Sequence, residues 1–203
     1  MKKAIILEEG TRVTIRNPLN SDEPKITTAL VGKSTKQFFS EVSLESHRQI
    51  QFIPEDVVKN GYVVGNLVTG DTYIIVANYP EVIYNEICAT ITRAIVCNSK
   101  IFVGRLVETA DKFGNRKREF QDVYSNIDIY AEAIDSKVVS AKPGEFEEVR
   151  YKVFSPSIQL EITDRIEILI NGERVPFKLT GKDYTTFRGL TVLDITSDTR
   201  RDV

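Results

Sequence analysis

Between Asp164 and Leu179 the chain reads "DRIEILINGERVPFKL", with apolar and polar residues alternating on both sides of Asn171-Gly172. Alternation with a period of two is the mark of a strand with one buried face. Asn-Gly between two such runs suits a type I′ turn, which needs φ > 0 at both central positions. The turn pairs Ile170 with Glu173, Ile168 with Val175 and Ile166 with Phe177. Ile166, Ile168, Ile170, Val175, Phe177 and Leu179 then share one face, and Glu167, Arg174 and Pro176 point the other way. In this register Pro176 lies at a non-hydrogen-bonded pair, so its missing N–H faces away from the partner strand. A sheet edge or a gap is expected on that outer side.

The rest of the chain is rich in Val, Ile, Thr, Tyr and Phe in short runs broken by Gly, Pro, Asn and Asp, the pattern of an all-β protein. Strands are expected at residues 3–7, 12–15, 26–31, 49–53, 62–64, 72–77, 86–96, 100–108, 119–134, 149–154, 158–162 and 190–195, besides the hairpin. The best helix candidate is "TKQFFSEVSLESHR", residues 35–48, which is only partly periodic. Residues 17–24, 109–118 and 140–145 read as loops.

The pattern also repeats. Each half opens with strand, polar loop, strand, followed by an irregular region. Each then has a strand ending in Gly-acid, Gly70-Asp71 or Gly172-Glu173, that runs into an apolar strand. A Tyr-containing loop follows, "NYPEVIY" or "TGKDYTTFRG", and an alternating strand closes the half, "EICATITRAI" or "LTVLDITSD". The expected fold is mainly antiparallel β with little helix. It comprises two small barrel-like domains, residues 1–98 and 99–203, with long hairpin extensions. A closed barrel removes exposed strand edges.

Composition narrows the chemistry. The net charge of -2 is too small to advertise a nucleic-acid-binding surface. The apolar run at residues 4–7 is too short for a signal-peptide core, and no stretch has the length of a membrane span. A cytoplasm-like compartment is therefore expected. Cys88 and Cys97, at an odd separation in one strand, face opposite ways and cannot bridge each other. The single histidine, His47, reads as a solvated or packed residue. No Cys/His cluster has metal-ligand spacing, and no GxGxxG, P-loop or nucleophile-elbow pattern is present. Acidic pairs such as Asp71 with Glu81, or Glu147 with Glu148, are the remaining acid/base candidates. No enzyme, cofactor or metal is expected. The tight basic run Arg116, Lys117 and Arg118 reads either as a solvated loop or as a contact for phosphates or an acidic partner.

The second half resembles the head-closure, or stopper, proteins of the head-to-tail connector in long-tailed bacteriophages. Three features between residues 100 and 198 carry the likeness. They are the opening hairpin "KIFVGRLVETADKFGNRKREFQDVYSNIDIYAEAI", the variable segment "DSKVVSAKPGEFEEVRYKVFSPSIQ", and the closing "DRIEILINGERVPFKLTGKDYTTFRGLTVLDITSD". The first half looks like a divergent copy, which gives a tandem version.

The resemblance implies a structural virion protein forming a homo-oligomeric ring, a hexamer, in the neck. Such a ring joins the portal or adaptor protein to the tail terminator or tail tube protein. It helps to retain packaged DNA, which passes through the channel without sequence-specific contacts and without any membrane. The protein would be made in the host cytoplasm and end in the virion. By position, Ser140, Lys142, Pro143, Gly144 and Glu145 match the loop that narrows the channel in such rings; an ordinary surface connection is the alternative. Arg116, Lys117 and Arg118 are the candidate subunit or partner contact. Two further readings stay open: a tail-terminator or other tail-tube or neck component, and a monomeric β-barrel binding nucleic acid or carbohydrate.

Overall fold

A computed structural model describes residues 2–20, 22–40, 42–110, 116–138 and 147–197. It consists of one helix, α1 (Lys2–Glu9), and twelve strands: β1 (Thr11–Arg16), β2 (Lys25–Lys33), β3 (His47–Phe52), β4 (Val63–Asn66), β5 (Thr72–Ile83), β6 (Glu86–Val96), β7 (Ser99–Ala110), β8 (Arg116–Val138), β9 (Glu147–Pro156), β10 (Arg165–Ile170), β11 (Glu173–Asp183) and β12 (Leu190–Ser197). All pairings are antiparallel. They close two six-stranded barrels, β1-β2-β3-β6-β5-β4 and β7-β8-β9-β12-β11-β10. Numbered within its own half, each barrel has the order 1-2-3-6-5-4, and the chain passes between them through Cys97 and Asn98.

The β10–β11 hairpin has the register that its alternation dictates. Ile166 pairs with Phe177, Ile168 with Val175 and Ile170 with Glu173, and Asn171 and Gly172 take φ of 52° and 86°. Pairing of β11 with β12 begins at Phe177↔Ser197, one residue after Pro176, so the proline ring meets no ladder partner there. Ile166, Ile168 and Phe177 are buried with Ile101, Ile129 and Leu193 in the core of the second barrel. Val13, Ile50, Phe52, Tyr73 and Ile75 fill the first.

A third core joins the barrels. Val63, Ile74, Val76 and Ile95 on the outer wall of the first barrel meet Tyr130, Phe154, Leu190 and Val192 of the second. Phe39 is wedged between them, with ring centroids 4.8 Å from Phe154 and 4.6 Å from Phe187. The backbones also touch at a pair of glycines, Gly61 at φ +81° and Gly189 at φ +82°. A Cβ on Gly61 would lie 2.0 Å from the Gly189 carbonyl oxygen.

Four expectations are corrected. Residues 3–7 form the middle of α1, not a strand. Lys, Ala, Leu and Glu are good helix formers, and the Gly10 N–H closes the last turn on the Ile6 carbonyl at 3.0 Å. The described residues of 35–48 hold no α-helix, only a 3-10 turn at Leu44–Ser46 before β3. Phe39 and Val42 go into the shared core, and the buried His47 organises the segment. Its Nε2 accepts from the Phe39 N–H at 3.4 Å, which leaves the proton on Nδ1 to donate to the Ser43 carbonyl at 2.8 Å.

Residues 158–162 are not a strand. Ile158 and Leu160 plug the second barrel, and the N–H groups of Gln159 and Leu160 donate to the hydroxyls of Tyr124 and Tyr184 rather than to a neighbouring strand. The "NYPEVIY" segment is not a loop: its first six residues are the outer half of β5, and only Tyr84 falls in the turn that follows.

Two measurements check this architecture. Phe177→Ala leaves a cavity as well as losing burial, and urea unfolding should show a loss of about 3–5 kcal/mol. A loss below about 1 kcal/mol, as at a surface position, contradicts the register. Gly61→Ala and Gly70→Ala share the same positive-φ strain of about 1–2 kcal/mol, but a Cβ on Gly70 meets nothing within 4 Å. Gly61→Ala should therefore unfold at clearly lower urea than Gly70→Ala, by the amount of the Gly189 clash.

Candidate assembly surface

Among the described residues two long ribbons leave the barrels, besides a short extension of β8–β9 in which residues 136–138 pair only with residues 147–149. The first is the outer part of the β7–β8 hairpin. β7 pairs with β10 only as far as Gly104, and β8 pairs with β9 only from Tyr130 onward. Residues 105–110 and 116–121 thus pair only with each other. At about 3.3 Å per residue the ribbon reaches roughly 20 Å beyond Gly104 before its tip. Its departure is marked by shifts in register between Ile101 and Gly104 and by Asn126 at φ 61°.

The ribbon's root is held by Arg105. Its Nε and Nη2 donate to the two carboxylate oxygens of Asp164, each at 2.9 Å. Nη2 also reaches the Gln159 carbonyl at 3.3 Å, and Nη1 lies 3.0 Å from Glu161. Burial pulls the Asp164 carboxyl up and the Arg105 bonds pull it down; the net position is below the usual aspartate value.

The predicted contact residues lie on this ribbon. Arg116 is 3.7 Å from Glu108, and Lys117 is 3.1 Å from Glu119, so two of the three are already paired within the hairpin. Arg118 stands opposite Glu108 in the register and has no ion-pair partner among the described residues. Next to it Leu106 and Phe120 form a directly opposed, exposed apolar pair. The tip, residues 111–115, and the channel-loop candidates Ser140, Lys142, Pro143, Gly144 and Glu145 lie outside the described residues.

The second ribbon was not expected from the sequence. β5 loses β4 after Ile74, and β6 loses β3 beyond Thr90. The strands continue together to Ile83↔Glu86, joined by a two-residue turn of Tyr84 and Asn85 at φ 51° and 67°. Val82 and Ile87 face each other across it, and both are exposed, as is Ile83. Tyr84 is 97% exposed. A tyrosine in the left-handed region costs about 1–2 kcal/mol, so this turn holds a bulky ring in water at the expense of strain. The available signal was Asn85, a residue tolerant of φ > 0, between apolar-containing strands.

Elsewhere the charged groups serve the fold. Asp71 lies before the start of β5 and Glu81 near its far end, about 30 Å along an extended strand at ~3.3 Å per residue. They form no pair, and Glu81 instead binds Lys2 of α1. Nothing is described of the side chains of Glu147 and Glu148. A cleft of about 390 Å³ at the junction is flanked by both glycine turns, Gly70-Asp71 and Asn171-Gly172; its buried Asp128 is matched by Arg16 and Lys100. Cys88 and Cys97 are unbridged, and burial raises the Cys97 thiol well above its usual value. Among the described residues no three His, Cys, Asp or Glu side chains could hold a metal ion together. No helix among them is long and apolar enough to cross a membrane.

The fold and these surfaces define a tandem, closed β-barrel protein with two projecting ribbons. No protein-family model matches the chain, and no curated protein matches it. Among solved structures, the complex of K. pneumonia MrkH with c-di-GMP aligns with 98% of this chain and 84% of that one. Sequence identity is 7% and the TM-score is 0.22. At that score nothing about fold or ligand carries over.

The root clamp has a pH signature. Because the folded Asp164 carboxyl lies below its unfolded value, its stabilisation is complete above about pH 4 and is lost as pH falls through the folded pKa. Arg105→Ala should lower the urea midpoint strongly at pH 7 and less at pH 3, because in the variant burial without the guanidinium raises the Asp164 carboxyl and lets it take up a proton instead of standing as an unpaired charge. Equal losses at both pH values contradict the clamp.

Proposed function

We propose that the protein is a structural subunit of the neck of a tailed bacteriophage. It joins copies of itself, and a portal or adaptor above to a tail component below, through its projecting ribbons. The observation that carries the reading is the pair of ribbons. Both barrels are closed and need nothing further, yet β5–β6 and β7–β8 extend past their last barrel neighbours and carry exposed apolar side chains. Side chains of that kind on an extended two-stranded support suit contact with another protein. The likeness of residues 100–198 to head-closure proteins supports the place in the particle. In this reading the segment around Ser140–Glu145, matched by its place in the sequence to the channel loop of head-closure proteins, helps to retain packaged DNA.

Reversing the three basic residues together, R116E/K117E/R118E, tests the role. Exposed substitutions of this kind are worth about 0.5 kcal/mol or less each, so the protein should remain folded with a nearly unchanged melting temperature. Supplied to a phage lacking its own copy, the variant should leave filled heads and free tails, seen by electron microscopy, where the parent chain gives joined particles. Normal joining by the variant would remove the basic ribbon from the mechanism.

A further inference from the structure

The two ribbons differ in a way that suits them to each other. The β5–β6 tip is apolar and weakly acidic: residues 78–92 include no lysine or arginine, and of their two carboxylates Glu81 is bound by Lys2 while Glu86 has no ion-pair partner among the described residues. Val82, Ile83, Tyr84 and Ile87 are exposed around them. On the β7–β8 ribbon Arg116 and Lys117 are met by Glu108 and Glu119, which leaves Arg118 as the uncompensated charge, with Leu106 and Phe120 exposed beside it. The two sit in different barrels, so one molecule displays two unlike apolar surfaces, one beside the carboxylate of Glu86 and the other beside the guanidinium of Arg118. Surfaces of that kind satisfy a head-to-tail contact, in which the tip of one copy meets a different patch of the next and the series closes into a ring. A two-fold pairing of like surfaces would set acidic tip against acidic tip.

The turn supplies the second argument. Asn at the first central position would relieve the backbone, yet the chain keeps Tyr84 there at φ 51° with 97% of its surface in water. A strained, fully exposed aromatic on a rigid two-stranded support has the character of an interface anchor, since tyrosine is among the residues that dominate binding.

We infer that the partner of the β5–β6 tip is a second copy of this chain, with Tyr84, Val82 and Ile87 seated against Leu106 and Phe120 of the neighbour and Glu86 facing Arg118. The inference rests on the assembly reading above and names the surface through which copies join.

Sedimentation of the full chain tests it with two variants, each altered only at exposed positions. The tip variant is V82S/Y84N/I87S, and the ribbon variant is L106S/F120S. The parent chain should form concentration-dependent assemblies larger than a dimer, and each variant alone should remain monomeric. An equimolar mixture should give heterodimers and nothing larger, because one intact tip remains for one intact ribbon. Tyr84→Asn alone should raise the melting temperature while weakening assembly at least tenfold, a pairing of signs that a merely structural role does not produce. If the parent chain assembles and the tip variant assembles equally well, the tip is not the contact and the inference falls while the assembly reading stands. A parent chain that stays monomeric to millimolar concentration overturns self-assembly altogether.

Discussion

Closure of the two sheets is the constraint from which the rest follows. β1 must reach β4, and β7 must reach β10, or each barrel would leave a row of unpaired backbone groups at an open edge. The closing strands are short: β4 has four residues and β10 has six. Their neighbours β5 and β7 are much longer, as is β8, which pairs with β7 on its other side. On β5 and β7, whatever exceeds the closing strand has no barrel partner on that side and runs on as a ribbon with β6 or β8. The projecting surfaces are thus a direct product of unequal strand lengths within closed barrels, and the bulges in β5, β6 and β8 lie where ribbon and barrel part.

The same closure forces burial of both faces on one wall of the first barrel. Tyr73 and Ile75 point into its own core, while Ile74 and Val76 point at the second barrel. The run "YIIV" therefore shows no alternation, because neither face meets water. Gly61 and Gly189 let the backbones approach at this wall, and the 34–46 segment fills what remains with Phe39 and Val42. Two barrels that share a core of this kind hold their ribbons in a fixed relation, which a subunit presenting two different contacts requires.

Much was legible from the chain wherever one face of a strand is wet. The β10–β11 register follows from alternation and Asn-Gly alone, and the repeat of the two halves follows from the order of strands and glycine turns. Residues 3–7 misled because four apolar residues are too few to separate helix from strand; Gly10 and the flanking helix formers were the better signal. Residues 35–48 misled because their aromatic and apolar side chains serve a core between domains, which imposes no period on the segment that fills it.

The sequence by itself determined the all-β class, the tandem halves and the hairpin register, because these depend on side-chain period and on turn residues within a few positions of one another. Only the tertiary structure decided which strands close each barrel, where the ribbons leave, and how far Tyr84 stands in water. It also decided that Arg116 and Lys117 are largely met by their own hairpin's carboxylates while the apolar pair Leu106 and Phe120 lies open beside them. The physical reason is that exposure and charge compensation depend on partners distant in sequence, and a strand's pattern carries no record of where its neighbour ends.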